Sequence, residues 1–372
     1  MNKITNIKLG FASNDIISLR QLQALLFLEI FGFAIIALPR IMAGYASQDG
    51  WLSVLASGFL VLPMVVIICY IIRKFAGFSF FALCSHILGK PLGFVLSVIF
   101  SARLVLLSAS NLYIFGDIIR QTMLPKTPTS IVFAVMIFIS AYAASKGFET
   151  RARMAEILIF VVLLPLFFVF VVVFKDTELS NLAPAFSATP QGIGQGAVQS
   201  FFAFAGIEVM LLVAPYIKNT KRIMRYSVQL VVVMIIFMTI VTVIAIARFG
   251  AIAIMQHAWP VLKMMDLTSW PGAIVDRQGA FVMTFWIVSA FANINASLFF
   301  SSLLLKDAIK KGTHFKYIMI FLPIIGILAY LPRSNTYIFE LYEKLNFILG
   351  IFSMVALPLL LFIFGVRRKV YE

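Results

Sequence analysis

The sequence predicts an all-α integral membrane protein. Three observations carry that expectation: the composition, the length of the apolar runs and the placing of the basic residues. Of 372 residues, 62% are apolar and 12% are charged, and the mean hydropathy is +1.02. Soluble domains are about half apolar and about a quarter charged, so the balance excludes an ordinary soluble enzyme and a disordered chain. Lys and Arg total 30 against 15 acidic residues, a net charge of +15. In a soluble domain that excess would suggest nucleic acid. Membrane proteins place the same excess in cytoplasmic loops, and no nucleic-acid partner is expected here.

Apolar runs of about 20 residues read as membrane-spanning helices, because lipid offers the backbone no hydrogen-bond partners. Ten such runs are readable, at roughly 20–45, 51–72, 92–116, 128–146, 152–174, 193–217, 226–248, 279–305, 316–332 and 338–366. The first is long enough to span although it carries Glu29, and the third holds Arg103 near its middle. The fifth opens on Gly147-Phe148-Glu149-Thr150-Arg151-Ala152-Arg153, with Glu156 following. The sixth is interrupted by Gly206 and the eighth carries Ser289, Asn293, Asn295 and Ser297. The tenth contains Glu340 and Lys344, four residues apart, which predicts a simple ion pair on one helix face. The longest connection, about 249–278, reads as a re-entrant or surface segment, since Trp259, Pro260, Trp270 and Pro271 suit a membrane interface.

With the N-terminus placed in the cytoplasm, 20 basic residues fall on the inner loops and 8 on the outer ones, with Arg103 and Lys344 inside spans. That asymmetry predicts an even number of spans and both termini inside. The polar first stretch predicts no cleavable signal peptide. Cys69, in an apolar run, and Cys84, in a loop, are too few for a disulfide framework and read as packing residues. His86, His257 and His314 are isolated, and no metal-ligand spacing or other cofactor motif is present. Nor is there a Ser-His-Asp set or a phosphate loop, so no enzymatic activity is expected.

Ten spans divide into five and five, with approximate halves 18–175 and 190–366, inside one polytopic domain. Span 1 then corresponds to span 6, and both are interrupted in the same way. Span 1 runs Phe31-Gly32-Phe33-Ala34 on to Pro39, with Glu29 before the glycine. Span 6 runs Phe204-Ala205-Gly206-Ile207-Glu208 on to Pro215. Glycine weakens a helix, and a carboxylate inside a membrane needs a partner or a wet cavity. Paired interruptions in two halves are the sequence pointer to a midplane binding site of transporter type. A broken helix frees N–H groups that favour anions and C=O groups that favour cations, so a small zwitterion would suit both ends.

At these residues the chain resembles the amino acid–polyamine–organocation transporter superfamily. The loops narrow the likeness. Gln48-Asp49-Gly50-Trp51-Leu52-Ser53, Leu124-Pro125-Lys126-Thr127-Pro128, the Gly147–Arg153 stretch with Glu156, and Ile17-Ser18 with Gln21 resemble the B subunit of spore nutrient-germinant receptors. The resemblance implies a fold of two inverted five-helix repeats, LeuT-like, with helices 1 and 6 interrupted. It also implies a sensor in the spore inner membrane that binds a nutrient such as an amino acid and works with an A subunit and a lipoprotein C subunit. One departure is visible. Related transporters carry Gly-Ser-Gly-like residues at the first break, whereas this chain has Gly32-Phe33-Ala34, where Phe33 would crowd or cap a ligand.

The expected ligand-binding set is therefore Gly32, Phe33, Ala34, Ser108, Asn111, Phe204, Gly206, Glu208, Asn293 and Ser297, drawn from helices 1, 3, 6 and 8. Asn293 and Ser297 share a helix face. Ser108, Ser110 and Asn111 follow Arg103 on span 3 and serve equally well for helix packing. Glu29, Arg103 and Glu156 are expected in structural or gating ion pairs. Glu208, Glu29 and Glu156 are the candidate partners of Arg103, and the preferred reading of Glu156 is a snorkelling pair with Arg153 near the inner surface. A secondary transporter of amino acids or polyamines is the rival reading, and a channel or scaffold a third.

Overall fold

A computed structural model describes residues 16–175, 177–266, 278–334 and 336–368 of the chain. Sixteen α-helices account for most of them. Ser18 starts α1 (Leu19–Ile30) with a reciprocal cap: its hydroxyl accepts from Gln21 N, and the Gln21 side chain accepts from Ser18 N. Helix α2 (Phe33–Ala46) continues the same run beyond a break at Phe31-Gly32, and α3 (Gly50–Lys74) turns back after one 3-10 turn. Helix α4 (Phe80–Leu88) is short, capped by Ser79, and ends at Gly89, whose φ of 96° lets α5 (Lys90–Thr122) leave in a new direction. Cys84 thus sits buried in a helix, not in a loop, and both cysteines are free. The apolar side chains on one face of α4 need a structure that buries them, which a loop does not supply.

Helices α6 (Thr129–Ser145) and α7 (Phe148–Lys175) follow. Next comes α8 (Pro190–Phe201), which Thr189 caps and Pro190 leads. A kinked series of short turns follows, containing α9 (Met210–Val213), and then α10 (Ile223–Phe249). The segments Pro190–Phe204 and Ile207–Tyr216 meet at 42°. The connection read as a surface segment contains two short helices, α11 (Ala251–Ile254) and α12 (Pro260–Asp266); Trp270 and Pro271 lie outside the described residues. Helices α13 (Gln278–Ile309), α14 (His314–Tyr330), α15 (Thr336–Ile351) and α16 (Leu357–Val366) follow, the last two joined by a π-helical turn at Phe352–Ala356.

By length and apolarity, five described stretches suffice to cross a membrane: Ile35–Lys74, Lys90–Thr122, Thr220–Phe249, Trp286–Ile309 and Glu340–Val366. The bent pair makes a sixth. Helices α6 and α14, at 17 residues each, fall below that length. Helices α1 and α2, at 12 and 14 residues, are each short because the break divides one apolar run in two. The centre of the bundle is α13 against α5, α6 and α7, with α3 packed on α8 and α10. Large apolar side chains such as Phe59, Tyr142 and Phe160 point outward, as lipid permits and water does not.

Candidate functional site

The break in the first run is set by backbone accounting. Phe31 N still donates to Phe27 O, at 2.8 Å, but the chain then leaves the helix at Gly32. The carbonyl of Leu28 accepts instead from Asn293 Nδ2, at 2.9 Å, and the same amide group donates to Ser289 O, at 3.1 Å. A Cβ on residue 32 would lie 2.9 Å from Asn293 Nδ2, so only glycine lets this amide come so close. Asn293 acts first as the cap of a broken helix.

The second break is built around Gly206, whose φ of 118° suits glycine alone. Its N–H donates to Glu208 Oε2, at 2.9 Å. A Cβ here would lie 2.9 Å from Cβ of Glu29, so the two interrupted helices touch at their breaks. The backbone groups expected to await a ligand are therefore partly in use: Leu28 O is held by Asn293 and Gly206 N by Glu208.

Both carboxylates pair with arginine. Arg103 Nη1 lies 2.5 Å from Glu208 Oε1, with the two side chains 4% and 1% exposed. Of the three candidates for Arg103, Glu208 is the one in contact. The approach lacks hydrogen-bond alignment, so Glu208 Oε1 and Arg103 Nε and Nη1 have no hydrogen-bond partner among the described residues. Glu29 pairs with Arg151 through Oε1 and Nη2, aligned as a hydrogen bond, and that guanidinium lies over the rings of Phe300 and Phe299. The sequence reading had counted Arg151 among inner-loop charges. The signal that finds it is period: Phe148, Arg151, Ala152 and Ala155 are all buried, spaced as one helix face. Glu156 forms no ion pair among the described residues. It accepts from Gln21 Nε2, at 3.3 Å, while Arg153 pairs with Glu149, at 2.5 Å. The i,i+4 spacing of Glu149 and Arg153 on an exposed face wins over the three-residue step to Glu156.

A cavity of about 790 Å³ lies where the breaks meet α5, α13 and α15. Its buried part is lined by Glu29, Gly32, Arg103, Asn111, Asn293 and Ala205. Its mouth is lined by exposed Arg40, Glu340, Glu343 and Lys344. Glu340 and Lys344 form no ion pair with each other among the described residues; both face this open space. Among the expected ligand residues, Gly32, Asn111 and Asn293 line the cavity. Ser108, Phe204, Glu208 and Ser297 are buried in the surrounding helices, and Gly206 sits beneath them against Glu29; none of these lines it. The side chains of Phe33 and Ala34 lie outside the described residues. The wall that the sequence reading missed is α15, through Asn346, Phe347 and Gly350. Its signal was the spacing of Glu343, Asn346 and Gly350, which puts all three on one helix face.

The two ends of the interrupted pair are tied differently. At the Ile17 end, Ile17 N donates to Tyr216 O, at 2.7 Å, and Lys218 N donates to Ile17 O, at 3.2 Å. Phe148 closes over this pairing, 4.6 Å from the Tyr216 ring. At the other end, Asp49 is fully buried and accepts from the backbone N–H groups of Phe186, Ser187 and Ala188 at 2.7–2.9 Å. That carboxylate holds the turn after α2 to the strand of chain that leads into α8. It gives a physical reason for the Gln48-Asp49-Gly50 stretch.

A family model described as spore germination protein matches residues 16–338. The spore germination protein YndE of Bacillus subtilis (strain 168) is 24% identical over 360 residues, which cover 96% of this chain and 99% of that protein. The spore germination protein GerQB of Bacillus cereus is 25% identical over 332 residues, covering 88% of this chain and 90% of the relative. Among solved structures, MhsT in complex with L-phenylalanine superposes with a TM-score of 0.71 at 14% identity. The match covers 94% of this chain and 88% of MhsT. It shows a shared fold, that of the LeuT-type transporters.

Proposed function

On the premise that this chain belongs to the spore germination protein family, we propose that it is the nutrient-sensing membrane subunit of a germinant receptor. It is an integral membrane protein of transporter-like fold. In our reading it has ten spans in two inverted halves, and both termini lie in the cytoplasm beneath the spore inner membrane. A small nutrient such as an amino acid binds at the midplane, between spans 1, 3, 6 and 8 and beside span 10. The observation that carries this reading is the cavity of about 790 Å³ at the junction of the two breaks. That volume falls within the range of small-molecule sites. The fold neighbour's L-phenylalanine supports a ligand of amino-acid size.

Binding drives a sensor only if the ligand prefers one of two conformations. The cavity is open at the Arg40 end, while the Ile17 end is closed by backbone pairing and aromatic packing. A ligand that closes the mouth over itself would favour a second state, which an A subunit and a lipoprotein C subunit would read. The rival is a secondary transporter of amino acids or polyamines, and the transporter-type fold favours it.

The experiment is a nutrient panel applied to spores with and without this chain, run beside uptake of the same labelled solutes into vesicles. The expected result is a germination response to one class of nutrient that needs this chain, with no sustained uptake by the chain alone. Robust uptake without partner subunits would favour transport, and an unchanged response in its absence would overturn the sensing role.

A further inference from the structure

Arg103 enters the cavity with unspent hydrogen-bonding capacity. Its side chain is 4% exposed and lines the cavity, its Nη1 stands 2.5 Å from Glu208 Oε1, and its Nε has no hydrogen-bond partner among the described residues. A guanidinium carries five N–H donors in a fork that matches a carboxylate, and the contact with Glu208 is off hydrogen-bond alignment. Asn346 on α15 also lines the cavity, and its Nδ2 donates to Ser110 Oγ on α5, at 3.0 Å. This fixes the amide and leaves Asn346 Oδ1 buried with no partner. Gly350, one helical turn on, also lines the cavity, and a Cβ there would stand in ordinary contact 3.9 Å from Arg103 Nη2. Apolar Leu107, Phe202 and Phe347 complete the surroundings. Orphaned buried donors and acceptors are costly, and a ligand that satisfies them recovers that cost.

We infer that the ligand's anionic end is taken by Arg103 on α5, and its neighbouring N–H donor by Asn346 on α15, instead of by the backbone of the breaks. The inference rests on the nutrient-binding reading and deepens it. The breaks have already spent groups within the protein, Leu28 O on Asn293 of α13 and Gly206 N on Glu208. The ligand class is a small carboxylate with an adjacent N–H donor and an apolar side group. The geometry also gives a route to the fold. Glu208 holds Arg103 with one oxygen and Gly206 N with the other. A carboxylate that draws on Arg103 therefore acts on the break at Gly206 through a single side chain.

The test uses the full chain in lipid nanodiscs and measures binding and thermal shift. The probes are alanine, valine, leucine and phenylalanine, each beside its amide, which lacks the carboxylate, and its deaminated acid, which lacks the amine; glucose and inosine are included. The expected result is that at least one amino acid binds, and that its amide binds about tenfold to a hundredfold more weakly, the value of a charge-assisted hydrogen bond. The double variant Arg103→Gln with Glu208→Gln removes both charges and strands neither. It should lose the preference for acid over amide. Asn346→Leu should lose the preference for amino acid over deaminated acid. Equal binding of acid and amide to the natural chain overturns the inference, as does a preserved acid preference in the double variant. Binding of glucose or inosine, without any amino acid, overturns this inference alone and leaves nutrient binding standing. No shift with any probe overturns both.

Discussion

Glu29 and Glu208 are the same kind of residue in the same kind of place, each a buried carboxylate beside a helix break, and each meets an arginine. Their surroundings differ. Glu29–Arg151 is aligned as a hydrogen bond, and the guanidinium is roofed by Phe299 and Phe300. Glu208–Arg103 is close but misaligned, and Arg103 opens on the cavity. Each arginine keeps a buried N–H group without a partner among the described residues, Arg151 at Nη1 and Arg103 at Nε, and Glu29 lines the cavity as Arg103 does. The difference is alignment: the aligned pair under its aromatic roof resists change, because removing one partner strands a charge, and the misaligned pair is the easier to rearrange. The first fastens the Ile17 end of the bundle, and the second is placed to respond.

The largest effect should come from breaking the closed pair. Arg151→Ala leaves Glu29 buried and alone, a loss of about 3–5 kcal/mol. The expected outcome is little folded protein in the membrane, read by thermal melting, with recovery when Glu29→Gln is added. If Arg151→Ala melts like the natural chain, the pair does not fasten the fold. Glu208→Gln should cost less, about 1–3 kcal/mol, because the new amide oxygen still accepts from Gly206 N and the lost contact with Arg103 is not an aligned hydrogen bond. Its mark should be a lost nutrient response at an unchanged level of protein in the membrane. A normal response in that variant would remove the functional difference between the pairs.

Gly206→Ala comes next and sharpens the contrast by acting on the backbone between the pairs. With φ at 118° and Glu29 Cβ 2.9 Å from the new methyl, it should cost about 1–3 kcal/mol of strain. Gly44→Ala, where a Cβ would meet nothing within 4 Å, is the matched control. The smallest effect is expected from Lys344→Gln at the exposed mouth, within about 0.5 kcal/mol in stability. A larger loss there would mean that the rim charges hold structure.

Much of this was legible in the sequence. The breaks were readable because glycine, carboxylate and proline recur together, and the structure interrupts both runs at Gly32 and Gly206 as that grouping predicts. That Arg103 needs a carboxylate partner followed from the cost of a lone charge inside a membrane, but the choice of Glu208 over Glu29 and Glu156 did not, because it depends on how the helices pack. Arg151 was not legible from charge counting, which assigns a residue to a loop by its neighbours in sequence and ignores the face it turns inward. Asn293 was singled out as a ligand contact. Its first duty as a helix cap depends on the distance between two helices, which sequence does not carry. Helix α15 was passed over because Glu340 and Lys344 fitted a local pair, and a local explanation hid a shared face.

The most direct measurement blocks the cavity without touching either ion pair. Ala203 lines the cavity in the turn that follows α8, and Ala203→Trp would fill part of that space, whereas Phe160→Trp on the outward face is the control. Spores carrying each variant are exposed to the nutrient that triggers the natural chain. The expected result is that Ala203→Trp abolishes the response while Phe160→Trp preserves it, with both proteins present in the membrane. A full response from Ala203→Trp would contradict a nutrient site in this cavity.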